Sequence, residues 1–248
     1  MSVSTLLLEP PSVLLKLPLL KWLFSSIGKK TIVSLTGICL VLFAVGHLGG
    51  NLTIFFGRDL INAYAMHLRD LGPLLWVIRF GLLAVVGAHI YFTMLLWWEN
   101  MKARPQKYAV AAKMKTTVFA RTMRMSGLII LGFVVFHLAH FTLLIVDPSY
   151  KNLHTMLDGH EVHDVYKMVV MGFNNPVFSA IYIFSLALLA MHLSHGIASL
   201  FQTLGITNKH LRPLFELGGR ALAWLLFIGY SSIPVSILVF GLGKDVLK

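Results

Sequence analysis

The stretch PVFSAIYIFSLALLAMHLSHGIASLFQTL (residues 176–204) carries no charged side chain and holds two histidines, His192 and His195. The charge-free run is longer still, from Met168 to Asn208. A helix rises about 1.5 Å per residue, so about 20 apolar residues cross the hydrocarbon core of a bilayer. The stretch therefore reads as a membrane-crossing helix that carries two polar rings at a cost in free energy. Four further stretches qualify by the same measure: residues 31–56, 74–98, 125–146 and 221–243. The expected fold class is all-α, an integral membrane bundle of five transmembrane helices.

Composition agrees. Charged residues make up 12% of the chain and hydrophobic residues 57%, with a mean hydropathy of +0.78. Soluble proteins carry roughly 25% charged residues, so this chain has about half the usual solvating charge. No internal repeat or Gly/Ser linker marks a domain boundary. The expected organisation is an N-terminal segment, 1–30, followed by one bundle domain, 31–243. The segment's apolar part is broken by Pro10, Pro11 and Pro18, and it lacks a basic start and a small-residue cleavage pattern. It reads as a retained interfacial segment with Lys16, Lys21 and Trp22 at the headgroups. Arg79, near the start of the second span, snorkels to the interface. Asn174-Asn175-Pro176 starts the fourth span, and Pro234 is expected to kink the fifth. Cys39 is the one cysteine. This excludes an internal disulfide, a thioether-bound haem and a Cys-ligated iron–sulfur cluster within the chain; Cys39 reads as a small packing residue.

Charge sorts the two faces of the bundle. Residues 1–30, 99–124 and 203–220 fall on one side and hold 14 of the 21 Lys and Arg but 3 of the 10 acids. The other side holds 7 of each, so the net charge of +11 lies on one face. The positive-inside rule puts that face in the cytoplasm, with the N-terminus in and the C-terminus out. The basic loop between the second and third spans then reads as a topology signal beside anionic lipid and a dock for a soluble partner, and no nucleic-acid partner is expected.

There are eleven histidines, and six lie within the spans: His47, His89, His137, His140, His192 and His195. His47 and His137 lie about 25 Å and 24 Å along two outward-running helices, so both sit toward the outer face. His89 and His195 lie about 22 Å and 28 Å along two inward-running helices, toward the cytoplasmic face. Alternating topology thus gives two histidine pairs at levels roughly 15 Å apart. Opposed imidazoles from facing helices are what six-coordinate haem iron takes as axial ligands, and bundle cores build cofactor sites in this way. The small residues Gly46, Gly49, Gly50, Gly87, Ala88, Ala139 and Gly196 give a flat macrocycle access to the backbone. On either doubled helix the two histidines lie 60° apart and 4.5 Å apart in height. Depth does not choose between His192 and His195, nor between His137 and His140: His192 matches His89 slightly better, while Gly196 favours His195. The spares are left for a propionate, a quinone, a backbone carbonyl or a proton relay.

Small residues also let bare helices pack closely, and transporters and proton pumps carry intramembrane histidines. Those sites usually include a buried acid or lysine, and the middles of these five spans hold none. A His-lined transporter is the alternative from a different class. A cytochrome b of a membrane hydrogenase or formate dehydrogenase is the alternative within redox proteins.

The segments GKKTIVSLTG, GHLGGN, NAYAMHLRDLGPLLWVIR, FHLAHFT, NNPVFSAIYI and HLSHGIASLFQTLG resemble the dihaem, single-anchor cytochrome b of succinate:quinone oxidoreductases, a type shared with dihaem quinol:fumarate reductases. The resemblance covers about residues 25–243 in order. It implies two haem b groups, a distal one ligated by His47 and His137 and a proximal one by His89 and His195, with His192 and His140 spare. It also implies a flavoprotein subunit and an iron–sulfur subunit on the cytoplasmic side, which carry the dehydrogenase chemistry, and a bacterial cytoplasmic-membrane location. Electron exchange is with membrane quinone, menaquinone by preference, and the whole complex in some members forms a trimer. Some dihaem fumarate reductases have a Glu two residues before the fourth ligand, where this chain has Leu193. Transmembrane proton compensation is therefore not assumed, and the direction of flux stays open.

A quinone carbonyl needs a donor at a span end beside a haem. Asn51, Tyr64, His67 and Arg79 are the candidates on the outer side. Ser34, Lys30, Arg121 and Gln202 are the inner ones. Arg121, Arg124 and Lys30 are also candidates to pair with haem propionates. Each has a plain alternative as an interface anchor or helix cap.

Overall fold

The computed structural model describes residues 17–103 and 118–247. Residues 1–16 of the expected interfacial segment, including Lys16, and most of the basic loop lie outside the described residues. Five helices are long and apolar enough to cross a membrane: Ser26–Phe56, Pro73–Lys102, Thr122–Thr142, Pro176–Thr203 and Leu211–Leu238. In chain order the helices are α1 (Pro18–Leu23), α2 (Ser26–Leu52), α3 (Arg58–Asp70), α4 (Pro73–Lys102), α5 (Val118–His137), α6 (Val165–Asn174), α7 (Pro176–Thr203) and α8 (Leu211–Leu238). A 3₁₀ turn, Thr53–Phe56, extends α2, and a π turn, Leu138–Thr142, extends α5.

Local chemistry sets where the spans begin and end. Ser25 caps α2 by accepting from the Gly28 amide at 3.1 Å, so the helix starts before residue 31. Lys29 falls inside that first turn without ending it, because its ammonium is buried against the Glu99 carboxylate at the far end of α4. Asn175 caps α7 through Val177 and Phe178, as the Asn-Asn-Pro punctuation predicts. The third span closes at Thr142, short of residue 146, because the π turn is followed by Leu144 at φ 52. The fifth starts at Leu211 rather than 221: its first turns extend past the apolar stretch on an exposed Arg212–Glu216 pair at 2.8 Å. α8 continues through Pro234 to Leu238.

Helix α7 packs on α8, α2 and α5, and α2 packs on α4 and α8. The outermost is α4, which buries only Leu95.

One end of the bundle is roofed. α3, α6 and a two-stranded hairpin, β1 (His154–Leu157) and β2 (His160–His163), lie over the C-terminal ends of α2, α5 and α8. The described residues are mostly helical, in line with the all-α expectation, and this hairpin is an addition to it. Its pattern lies in the sequence: Asp158-Gly159 joins the Leu157↔His160 pair with both residues at positive φ, the two-residue type I′ turn that Asp-Gly favours. Under the roof sits the tightest core, including Ile54, Ile61, Tyr150, Val170 and Ile237.

Asp164 locks the roof. Its buried carboxylate accepts from the Arg58 guanidinium, from Asn62 Nδ2 at 3.1 Å and from the Lys167 amide at 3.1 Å, where it caps α6. Asn62 in turn accepts from the Tyr166 amide at 3.0 Å. Burial pushes the Asp164 carboxyl upward, but the bonds from Arg58, Asn62 and Lys167 outweigh it and hold the group below its ordinary value. A carboxyl depressed by folding stabilises the protein above the unfolded value, about 4, and loses that contribution as pH falls through the lower folded value. The thermal midpoint in detergent is therefore expected to hold from neutral pH to about pH 5 and to fall below about pH 4. Asp164→Asn should cost about 1–3 kcal/mol at neutral pH and flatten the acid limb. Thermal unfolding of both proteins across pH checks this.

Candidate functional site

Two levels of histidine are built on the same four spans. Toward the roofed end, the His47 ring of α2 and the His137 ring of α5 stand with centroids 5.9 Å apart and planes at 79°. Phe43 stacks on His47 at 5.3 Å, and Tyr230 of α8 lies 6.1 Å from it. Tyr230 is held there by donating to the Ala44 carbonyl at 2.7 Å. The Tyr182 hydroxyl of α7 lies 3.2 Å from Nδ1 of His137 and 3.2 Å from Nδ1 of His140.

The second level lies eleven residues back along each of α2 and α5, about 16 Å away. There the Thr36 hydroxyl meets Nδ1 of His89, from α4, at 3.0 Å. The Ser126 hydroxyl meets Nδ1 of His192, from α7, at 3.2 Å. In each case a glycine follows the hydroxyl residue. A Cβ added at Gly37 meets His89 Cε1 at 3.6 Å, and one at Gly127 meets His192 Cε1 at 3.5 Å. The hydroxyl anchors the ring and the glycine makes room for it.

A hydroxyl has one hydrogen to give. Thr36 gives its own to the Ile32 carbonyl at 2.7 Å, and Ser126 gives its own to the Met123 carbonyl at 3.1 Å. Both oxygens therefore accept from the imidazoles. With the hydroxyl hydrogens on those carbonyls, the protons of His89 and His192 fall on Nδ1 and Nε2 keeps a lone pair, the pattern by which an outer hydrogen bond fixes a metal-binding histidine.

The helices that carry each pair are not close-packed partners. α2 and α5, and likewise α4 and α7, fall outside the set of tightly packed helices, so side chains span these gaps. A Cβ at Gly46, Gly49, Gly87 or Gly196 meets nothing within 4 Å, whereas one at Gly50 overlaps the Tyr64 ring. Of the small residues singled out in the sequence, Gly50 is thus taken up by packing. Among the described residues, no three His, Cys, Asp or Glu side chains converge to hold a bare metal ion; the histidines meet in twos.

His195, matched by motif to His89, is partly buried on α7. His192 stands one turn earlier on the same helix, with its Nδ1 on the Ser126 hydroxyl. The difference is one of height: His192 stands level with Ser126, and His195 lies about 4.5 Å beyond it. His140 is fully buried, stacked on Phe141 at 4.0 Å.

The remaining candidates scatter. Asn51 donates to the His47 carbonyl of its own helix at 2.7 Å. Tyr64 lies over Gly50, and His67 is exposed near Asp70. Arg79 sits 5.0 Å over the Trp76 ring and, with Arg69 and Thr142, lines a cleft of about 670 Å³. Ser34 is buried, Lys30 and Gln202 are exposed, and Arg124 lies 5.3 Å from the Trp97 ring. The Arg121 side chain falls outside the described residues. Thr36, Ser126 and Tyr182 were not among the sequence candidates.

No protein-family model, curated protein or solved structure matches the chain.

Gly50→Ala is expected to cost about 1–3 kcal/mol by overpacking, since its methyl group displaces Tyr64. Gly81→Ala, whose added methyl meets nothing within 4 Å, should leave stability unchanged or raised by up to about 1 kcal/mol. Thermal unfolding of the two variants in detergent makes the comparison.

Proposed function

We propose that the chain is the dihaem cytochrome b anchor of a succinate:quinone oxidoreductase, succinate dehydrogenase or fumarate reductase. It carries electrons between an iron–sulfur subunit and membrane quinone, menaquinone by preference. The observation that carries the reading is the outer pair: His47 and His137, from two helices that are not close-packed, face each other at 5.9 Å. Metal–imidazole bonds are about 2 Å long, so two rings on opposite sides of one iron have centroids about 6 Å apart. The residues fit the group.

In this reading His47 and His137 would hold one haem, and His89 and His192 the other. Bound haem supplies reversible one-electron storage at each level. The chain's residues do the rest. Thr36 and Ser126 hold the inner rings with Nε2 free, Phe43 and Tyr230 pack against His47, and the step of about 16 Å along the helices sets the spacing of the two levels. His195, one turn further along α7, is the alternative inner ligand.

The charge asymmetry supports an orientation with the roofed end outside and the basic end in the cytoplasm, where the flavoprotein and iron–sulfur subunits dock. Arg79, lining its cleft at the roofed end with Arg69 and Thr142, is the best placed of the outer quinone candidates. Arg124 and Lys30 at the basic end are the propionate candidates, with Arg121 beside them in sequence.

A pyridine haemochrome assay on purified protein should find two b haems per chain; a folded, colourless protein overturns the reading. His192→Ala is expected to lose one haem and His195→Ala to keep both. The reverse result assigns the inner ligand to the motif-matched histidine. Co-purification of a flavin subunit and an iron–sulfur subunit separates this enzyme from a hydrogenase or formate dehydrogenase cytochrome.

A further inference from the structure

The outer pair is held differently from the inner one. Its hydroxyl belongs to Tyr182, 4% exposed, which stands between two imidazoles and, among the described residues, has no backbone carbonyl to take its hydrogen. A buried hydroxyl satisfies both its donor and its acceptor capacity where partners exist. Tyr182 therefore accepts from one ring and donates to the other. The two histidines must hold opposite tautomers, one with its proton on Nδ1 and one on Nε2.

We propose that Tyr182 and His140 together act as a positioning relay that fixes the proton of His137 on Nδ1; this rests on the haem reading above. His137 is the ring that faces His47. To offer Nε2 to iron it must keep its proton on Nδ1, so Tyr182 accepts from His137 and donates to Nδ1 of His140. His140 then carries its proton on Nε2. That nitrogen is fully buried and has no partner among the described residues. An unmade bond at a buried donor costs stability, and its presence marks a histidine kept for what its other nitrogen does. The spare histidine of the HLAH segment is thus the acceptor that stops the phenol from donating to the ligand ring.

The reverse arrangement shows why His140 is needed. Without it, the hydrogen of Tyr182 has only Nδ1 of His137 to go to, and that bond fixes the tautomer that cannot bind iron through Nε2. Tyr182 without His140 works against the site. Tyr182 with His140 holds the ring and, by accepting its proton, makes it a stronger electron donor.

Redox titration of the purified, haem-loaded protein gives the test, with His47→Ala identifying which midpoint potential belongs to the outer pair. Tyr182→Phe is expected to shift the outer midpoint upward and leave the inner one in place. His140→Leu should weaken retention of the outer haem roughly tenfold, His140→Gln, which keeps an acceptor, should retain it, and His140→Leu with Tyr182→Phe should restore it. Unchanged midpoints in Tyr182→Phe, or equal haem retention in His140→Leu and His140→Gln, overturn the relay. If Tyr182→Phe does not fold, the Leu and Gln variants decide alone. A wild-type protein without haem overturns the functional reading instead, so the two failures are distinct.

Discussion

The hydrogen bond from Nδ1 of His89 to the Thr36 hydroxyl joins two spans at a depth where water is absent. Its counterpart from His192 to Ser126 joins two others. An imidazole in hydrocarbon has two nitrogens to satisfy, and each of these rings has one satisfied by a neighbouring helix. That single bond settles the proton, the rotation of the ring and the nitrogen left over. The histidines are therefore not isolated polar faults in apolar helices. They are fixed elements, each anchored to a hydroxyl on a neighbouring span.

The roof adds rigidity where the outer pair needs it. α3 and α6 are tied by Asp164 through Arg58 and Asn62. α6 in turn rests against the phenylalanine and histidine of the π turn, since a methyl at Gly172 meets Phe141 at 2.8 Å and His140 at 3.2 Å. A buried polar clamp thus braces aromatic packing at the edge of the apolar bundle. At the other end of the bundle the Lys29–Glu99 pair ties the start of α2 to the end of α4.

Much of this was legible in the sequence. Five apolar runs gave five spans, because nothing competes with hydropathy over twenty residues. The level of His47, His137 and His89 followed from the helical rise. The finer choice between His192 and His195 did not, since one turn is within the error of any boundary set by hydropathy. Thr36-Gly37 and Ser126-Gly127 each stand eleven residues before a histidine, His47 and His137, about three full turns, so hydroxyl and ring share one face of each helix. Lys29 and Lys30 look alike in sequence, and only Glu99, seventy positions away, distinguishes them. The hairpin was missed because attention to hydropathy passed over the Asp-Gly pair at 158–159.

The π turn at Leu138–Thr142 changes the phase of the third span. Its ladder runs from the Leu143 amide back five positions to the Leu138 carbonyl at 2.7 Å, so the chain winds more slowly there than in the α form. In a regular helix, residues three apart diverge by 60°; the wider winding roughly doubles that angle. His137 thus looks across the bundle while His140 swings under α6, and both still reach one phenol. A single extra residue of winding converts a repeated histidine from a redundant copy into a piece with a separate address.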